Sequence, residues 1–412
     1  MLEQLFTAPY AAPRLRSSPL GAWLDGFVDR LSGLGYTFGS CLSCVRLAAD
    51  LGRWMAEHGL SAESLDESGV EAYLADRGTQ RERRREASNL LLAHLRAVGV
   101  ALPRLEVPDD SAITLHSCRY ADYMRRERGA AEGTVEGYVA VVREFLHHRF
   151  DAGEVKLASV GASDIGEYLV GRAPGLSQKR VAYLASALRS FFRYLFVQGE
   201  TAQDLSRATL MAQTRDQASI PQYLLPEEVE RLLDTCDVRT PVGRRNRAIL
   251  LLLVRLGLRA SEVANLELGD IRWRSGEIVI RGKGNLVDHL PLLSEVGKAI
   301  AEYLATDRAA VLPSKRVFLR VCAPLCELGG RGAISCVVRQ GLKKAGLQPS
   351  RRGAHLLRHT LATRMIRAGS SMAEIAEVLR HHSTGSTAIY AKVDFEALRT
   401  VAQPWPRTGG VE

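Results

Sequence analysis

The chain has 412 residues, 46% hydrophobic and 25% charged, which excludes a disordered chain and predicts two or three packed domains. Its net charge of +9 and pI of about 9.3 favour an acidic partner, nucleic acid first. Seven irregularly spaced cysteines speak against a disulfide framework and for a reducing compartment, and the lone Cys41/Cys44 pair lacks the further ligands a zinc site needs.

The N-terminal stretch MLEQLFTAPYAAPRLRSSPLGAW has no basic region followed by an apolar core, so no secretory signal is expected. The longest apolar run, Ala248 to Val254, is far short of a membrane span and reads as a buried helix; the expected location is the cytoplasm. There are 8 lysines against 47 arginines, with none before Lys156, so each lysine is conspicuous. The arginine excess suits phosphate, but a GC-rich genome produces the same bias through its codons.

Along the chain, two helical stretches resemble each other. Val70, Tyr73, Leu74 and Arg77 pair with Ile165, Tyr168, Leu169 and Arg172 at a constant offset of 95. Both read as small helical bundles, one over residues 1–105 and one over 106–200, with a break at PDDSA (Pro108 to Ala112). Residues 201–222 are polar and poorly periodic, a linker before a third region spanning 223–412. That region opens with a helix at LLPEEVERLL, continues with a buried helix over 244–256, and ends that helix at Gly257. IRWRSGEIVIRGKGNLVDHLPL (Ile271 to Leu292) then gives three short strand-like runs broken by SG and GKGN. Helices resume near Ser294, Gly332 and Ala354. The fold class is mainly α with a small antiparallel β-sheet (α+β).

Four segments of this region carry chemistry. GLRASEV places Arg259 just after a helix end, with Glu262 three residues on. RGKGN puts Lys283 in a glycine-flanked turn. HLLRHT sets His355 and Arg358 on one helix face. LRHHSTGSTAIY supplies His381 and, nine residues later, Tyr390. Each alone has a bland reading, as a surface ion pair, a solvated lysine or a core aromatic. Together they suit cleavage of a phosphodiester. Two guanidiniums can clamp the non-bridging oxygens, a phenol can attack phosphorus, a lysine can protonate the departing oxygen, and histidines can relay protons. No carboxylate cluster of the kind that holds catalytic metals accompanies them, so neither metal nor cofactor is expected.

In this order, arginine, hairpin lysine, HxxR, histidine and tyrosine, the chain resembles the tyrosine recombinase (phage integrase) family. GLRASEVANLELGDI resembles its first arginine block, and HLLRHTLATRMIRAG its HxxR helix. SSMAEIAEVLRH resembles the helix before the last histidine, with Ser371 and Glu374 forming a capping box. The resemblance covers about residues 223–395, and the second bundle looks like the family's core-binding domain. The first bundle reads as an extra one, a candidate duplicate of that type.

The resemblance implies that Tyr390 is the nucleophile, forming a 3′-phosphotyrosyl intermediate without metal or ATP, and that Arg259 and Arg358 hold the phosphate. Lys283 would be the general acid. His355 would assist proton transfer, His381 would bond a non-bridging oxygen, and Glu262 would support Arg259. His359 and His382 read as neighbours of the site. The implied function is site-specific recombination in DNA integration, excision or transposition. Double-stranded DNA is the expected partner, gripped by a clamp of core-binding and catalytic domains in a homotetramer on two sites, with accessory or sister recombinases and a nucleoid-associated location. Competing readings are a type IB-like DNA-relaxing enzyme and a DNA-binding protein with weakened catalysis. One departure bears on the last: Arg380 stands where the family usually has glycine before the final histidine.

Overall fold

The computed structural model describes residues 2–6, 10–77, 81–103, 111–150, 154–209, 221–282, 286–308, 313–381, 387 and 389–391. Lys283, His382, residues 210–220 of the 201–222 linker and the tail beyond 391 lie outside the described residues. Backbone contacts divide the chain into two compact units, Met1–Pro103 with Ser219–Glu412, and Arg104–Ala218.

The 104–218 unit is helical and closes around a core containing Tyr120, Phe145, Tyr168, Leu188 and Phe192. Residues 2–101 of the other unit build a separate helical core around Phe27, Leu51, Trp54, Tyr73 and Leu91. The offset of 95 read from the sequence carries into the elements. A short 3-10 turn and an 11-residue helix occupy Ala62–Ser64 and Glu67–Arg77 in the first bundle, and Leu157–Ser159 and Ala162–Arg172 in the second. Tyr73 lies edge-on to Trp54 at 5.8 Å, and Tyr168 edge-on to Phe145 at 5.4 Å. In each bundle a tyrosine from the 11-residue helix thus packs on an aromatic of the long helix before it.

The first bundle meets the third region within their shared unit. The Leu325 N–H donates to the Leu34 carbonyl at 2.8 Å. Gly35 follows at a φ of +82°, and a Cβ there would stand 2.4 Å from the Leu325 side chain, so both conformation and space demand glycine.

Residues 224–357 form the largest core, built on the helix Pro241–Arg255, whose Ala248 to Val254 are all buried. That helix starts three residues before the expected 244, because Thr240 accepts a hydrogen bond from the Gly243 N–H and Pro241 fits its first position. The sheet is an antiparallel meander of β1 (Ile271–Arg272), β2 (Glu277–Arg281) and β3 (Val287–Pro291), with Ile280 opposite Asp288. β2 buries Ile278, Val279 and Ile280, whereas β3 buries none of its residues. A smaller cluster joins Leu361, Ile366, Ile375 and Leu379 to Tyr390. The mainly helical α+β class is the one the sequence predicts. Among the described residues no helix is long and apolar enough to cross a membrane.

Candidate active site

The helix Ala354–Arg367 starts after Gly353 and carries its polar site residues at i, i+3 and i+4, so His355, Arg358 and His359 project from one side. Arg358 is 3% exposed. One of its outer nitrogens donates to the Gly257 carbonyl at 2.5 Å and the other to the Leu379 carbonyl. Gly257 sits at a φ of +61°, and a Cβ there would come within 2.8 Å of Leu379 and 2.9 Å of Leu361. A side chain at this position would therefore push apart the elements that hold Arg358. Burial and the nearby Arg259 and Arg380 charges bring the Arg358 pKa down to about 10. The guanidinium stays charged at neutral pH, and its charge is poorly compensated.

Arg259 precedes the helix Ala260–Asn265, and the Glu262 carboxylate caps that helix by accepting the Arg259 N–H at 2.8 Å. The other Glu262 oxygen accepts from the Arg259 guanidinium at 2.6 Å. Arg259 is one-third exposed, Glu262 almost wholly buried.

Arg380 completes this corner. The helix Met372–Val378 ends in a Schellman turn, with the His381 N–H donating to the Ala376 carbonyl and the Arg380 N–H to the Glu377 carbonyl, both at 2.9 Å. Arg380 occupies the left-handed position of that turn at a φ of +55°, which costs an L-residue roughly 1–2 kcal/mol relative to glycine. Its side chain, 2% exposed, turns inward and donates to Glu262 at 2.9 Å and to the Val378 carbonyl at 3.1 Å. Its Nε lies 3.9 Å from an Asp288 oxygen on β3 and has no hydrogen-bond partner among the described residues. The Arg380 carbonyl in turn accepts from Arg259 at 3.3 Å. Burial works to raise the Glu262 pKa, but Arg380 and Arg259 outweigh it and hold the carboxyl below its ordinary value.

Tyr390 is 1% exposed and shares a 2.8 Å hydrogen bond with Nδ1 of His359. His359 stacks against His355 at 5.9 Å, and the His381 ring lies parallel to Tyr390 at 6.3 Å. Nδ1 of His381 bonds the Thr387 hydroxyl at 2.8 Å. Burial, followed by His355 and then nearby arginines, pushes His359 down to about 4; burial and neighbouring arginines push His381 down to about 4 and also lower His355. The imidazoles are neutral at pH 7, and with pKa values near 4 His359 and His381 are weak bases. Burial raises the Tyr390 phenol to about 12, against the pull of Arg358.

Arg259, His355 and Arg358 line one cleft of about 270 Å³, together with Ser261, Arg331 and Ser335. The expected residues Arg259, Glu262, His355, Arg358, His381 and Tyr390 are thus neighbours in space, and Lys283 lies outside the described residues. Sequence reasoning left three residues aside. His359 touches the phenol, and its place one helical turn after His355 was the available signal. Arg331, at the start of the helix Gly330–Lys344, lines the cleft. Arg380, singled out in the sequence only as a departure from glycine, belongs to the interior.

In this mainly helical chain, arginines and histidines from distant segments surround a buried tyrosine, an arrangement of the kind that suits an enzyme of phosphoryl transfer. Residues 222–397 match the phage integrase family and residues 118–199 the phage integrase N-terminal SAM-like domain. Over 410 residues the chain is 38% identical to a Sinorhizobium fredii protein provisionally named integrase/recombinase y4rA, covering 98% of this chain and 99% of that one. It is 30% identical to tyrosine recombinase XerC of Oceanobacillus iheyensis, covering 72% of this chain and 98% of that one. Its fold is like that of the XerH site-specific recombinase bound to palindromic difH substrate in a post-cleavage complex. There the TM-score is 0.52 at 20% identity, covering 87% of this chain and 94% of that one. The Tn1549 transposon integrase in complex with transposon right end DNA gives 0.51 at 21%, covering 69% and 97%. The chain belongs to the phage integrase family, the tyrosine recombinases, and is an enzyme of site-specific DNA strand breakage and rejoining.

Proposed function

We propose that this recombinase cleaves one strand of double-stranded DNA through Tyr390 and reseals it to a new partner. The phenol oxygen attacks phosphorus, a 3′-phosphotyrosyl bond forms, and the 5′ oxygen leaves as a hydroxyl that later attacks in reverse. Arg259 and Arg358 hold the non-bridging oxygens, where negative charge grows in the transition state. Lys283 protonates the leaving oxygen. His359, already bonded to the phenol, receives its proton once the negative charge of the bound phosphate has raised the basicity of the imidazole; His355 and His381 orient the phosphate and complete the relay. The observation that carries this reading is the cleft that Arg259, His355 and Arg358 share, one helical turn from the His359–Tyr390 bond.

In the same reading, residues 106–200 act as a core-binding domain and close on DNA with the catalytic region, 223–412. Residues 1–105 are an added bundle of the same type. Four protomers act on two duplexes in the nucleoid, with accessory or sister recombinases as further partners. The first test is covalent trapping. Nicked duplexes from DNA flanking the gene are incubated with the wild type and with Tyr390→Phe, without divalent metal. An adduct on denaturing gels with the wild type alone is the expected outcome. Cleavage that persists in the phenylalanine variant overturns the mechanism, and specific binding without an adduct points to a DNA-binding protein that does not cut.

A further inference from the structure

Glu262 presents a problem of charge. A carboxylate bonded to a phosphate-holding arginine neutralises part of the charge that the arginine should offer to DNA. Alone with Arg259, buried Glu262 would leave that corner of the site close to neutral. Here a second guanidinium reaches the same carboxylate. Arg380 donates to the Glu262 oxygen that caps the Arg259 N–H, while the other oxygen takes the Arg259 side chain. The Arg380 carbonyl also accepts from Arg259, which closes a ring of four contacts. This arginine stands at a backbone position whose left-handed φ favours glycine, so its side chain is retained against a conformational penalty.

We propose that Arg380 is a positioning residue that serves as the counter-ion of Glu262, so that Glu262 orients Arg259 without cancelling its charge. The inference rests on the reading of Arg259 as a phosphate-holding residue. Counting the nearby Asp288, the corner of Arg259, Glu262 and Arg380 is neutral with Arg380 present and carries one net negative charge without it. An Asp288 oxygen on β3 lies 3.9 Å from the same guanidinium, without a hydrogen bond to it.

The test is a charge-compensation cycle, read as the single-turnover rate of adduct formation at saturating nicked duplex. Arg380→Gly removes the charge and relaxes the backbone, and Arg380→Met removes the charge while keeping the bulk. Both are expected to slow adduct formation by about tenfold or more. Glu262→Gln keeps the carbonyl oxygen that caps Arg259 but removes the negative charge. Combined with either Arg380 variant it is expected to bring the rate back to within about threefold of the wild type. Thermal melting checks that each protein is folded, and with two replacements at 380 the cycle is readable if either one folds. Wild-type rates in the Arg380 variants overturn the proposal, as do folded double variants no faster than the single ones. Arg259→Ala is the control for the underlying reading. If it cleaves normally, the role of Arg259 itself is wrong; if it is inactive while Arg380→Gly is unaffected, only the counter-ion role fails.

Discussion

The first bundle and the catalytic region use the same residue, arginine, in opposite ways. Residues 1–103 hold 11 arginines against 12 acidic residues, whereas residues 221–412 hold 29 basic against 19 acidic residues, so the chain's positive charge resides in its last half. In the bundle, acids answer the arginines locally. Arg85 pairs with Glu71 at 2.8 Å, Arg96 with Glu67 at 2.7 Å, and Arg84 with Asp50 and Tyr73. In the site, Arg259 and Arg380 share the Glu262 carboxylate, with Asp288 3.9 Å from Arg380, and Arg358 bonds main-chain carbonyls instead of an acid. An arginine count therefore says little about function. A cluster with few acids nearby holds a positive potential that favours an anionic partner.

The strongest way to break this contrast is to remove Arg358. Arg358→Ala is expected to lower the rate of adduct formation by roughly 10³-fold, as loss of a transition-state contact does. A fall of less than about tenfold would show that the buried charge is structural. Next, His359→Gln is expected to slow cleavage about 10²-fold at pH 7, since the phenol loses its proton acceptor. An unchanged rate sends that proton elsewhere.

A third prediction concerns acid. His359 and His381 titrate near 4 in the folded state, below the ordinary 6.5, so between these values the unfolded chain binds more protons. Stability is full above about pH 6.5 and falls as pH drops toward about 4, by at most a few kcal/mol, because both rings keep some solvent contact. Denaturant melts across that window should show a shallower fall in a His359→Gln/His381→Gln variant; identical slopes would place the histidines in ordinary solvent. The smallest effect belongs to the first bundle. Arg85→Ala, at an exposed pair with Glu71, should change stability by less than about 0.5 kcal/mol and DNA affinity by less than about twofold. A large loss of affinity in a titration at fixed salt would mean that the bundle's arginines also serve DNA.

The order of site residues, the strand–turn–strand pattern and the two bundles were all legible as local patterns. Spacing puts His355 and Arg358 on one helix face, and the alternation around SG and GKGN marks the hairpin. What stayed hidden depended on closure in three dimensions. Arg380 could be recognised as a departure, but the direction of its side chain depends on Glu262, 118 positions away. His359 looked like a bystander because its partner, Tyr390, lies 31 residues further on. The start of the buried helix was missed for a local reason: the Thr240–Pro241 pair was a cap signal left unused.

The two arginines proposed to hold the phosphate differ in what a lineage can change around them. Arg259 depends on the side chains of its neighbours, so drift at position 262 or 380 alters it directly. Arg358 is held by the main-chain oxygens of Gly257 and Leu379, which every amino acid supplies. Its setting is inherited with the path of the backbone and is shielded from most substitutions. Descendants of this enzyme are therefore free to retune one arginine while the other stays fixed for as long as Gly257 remains glycine.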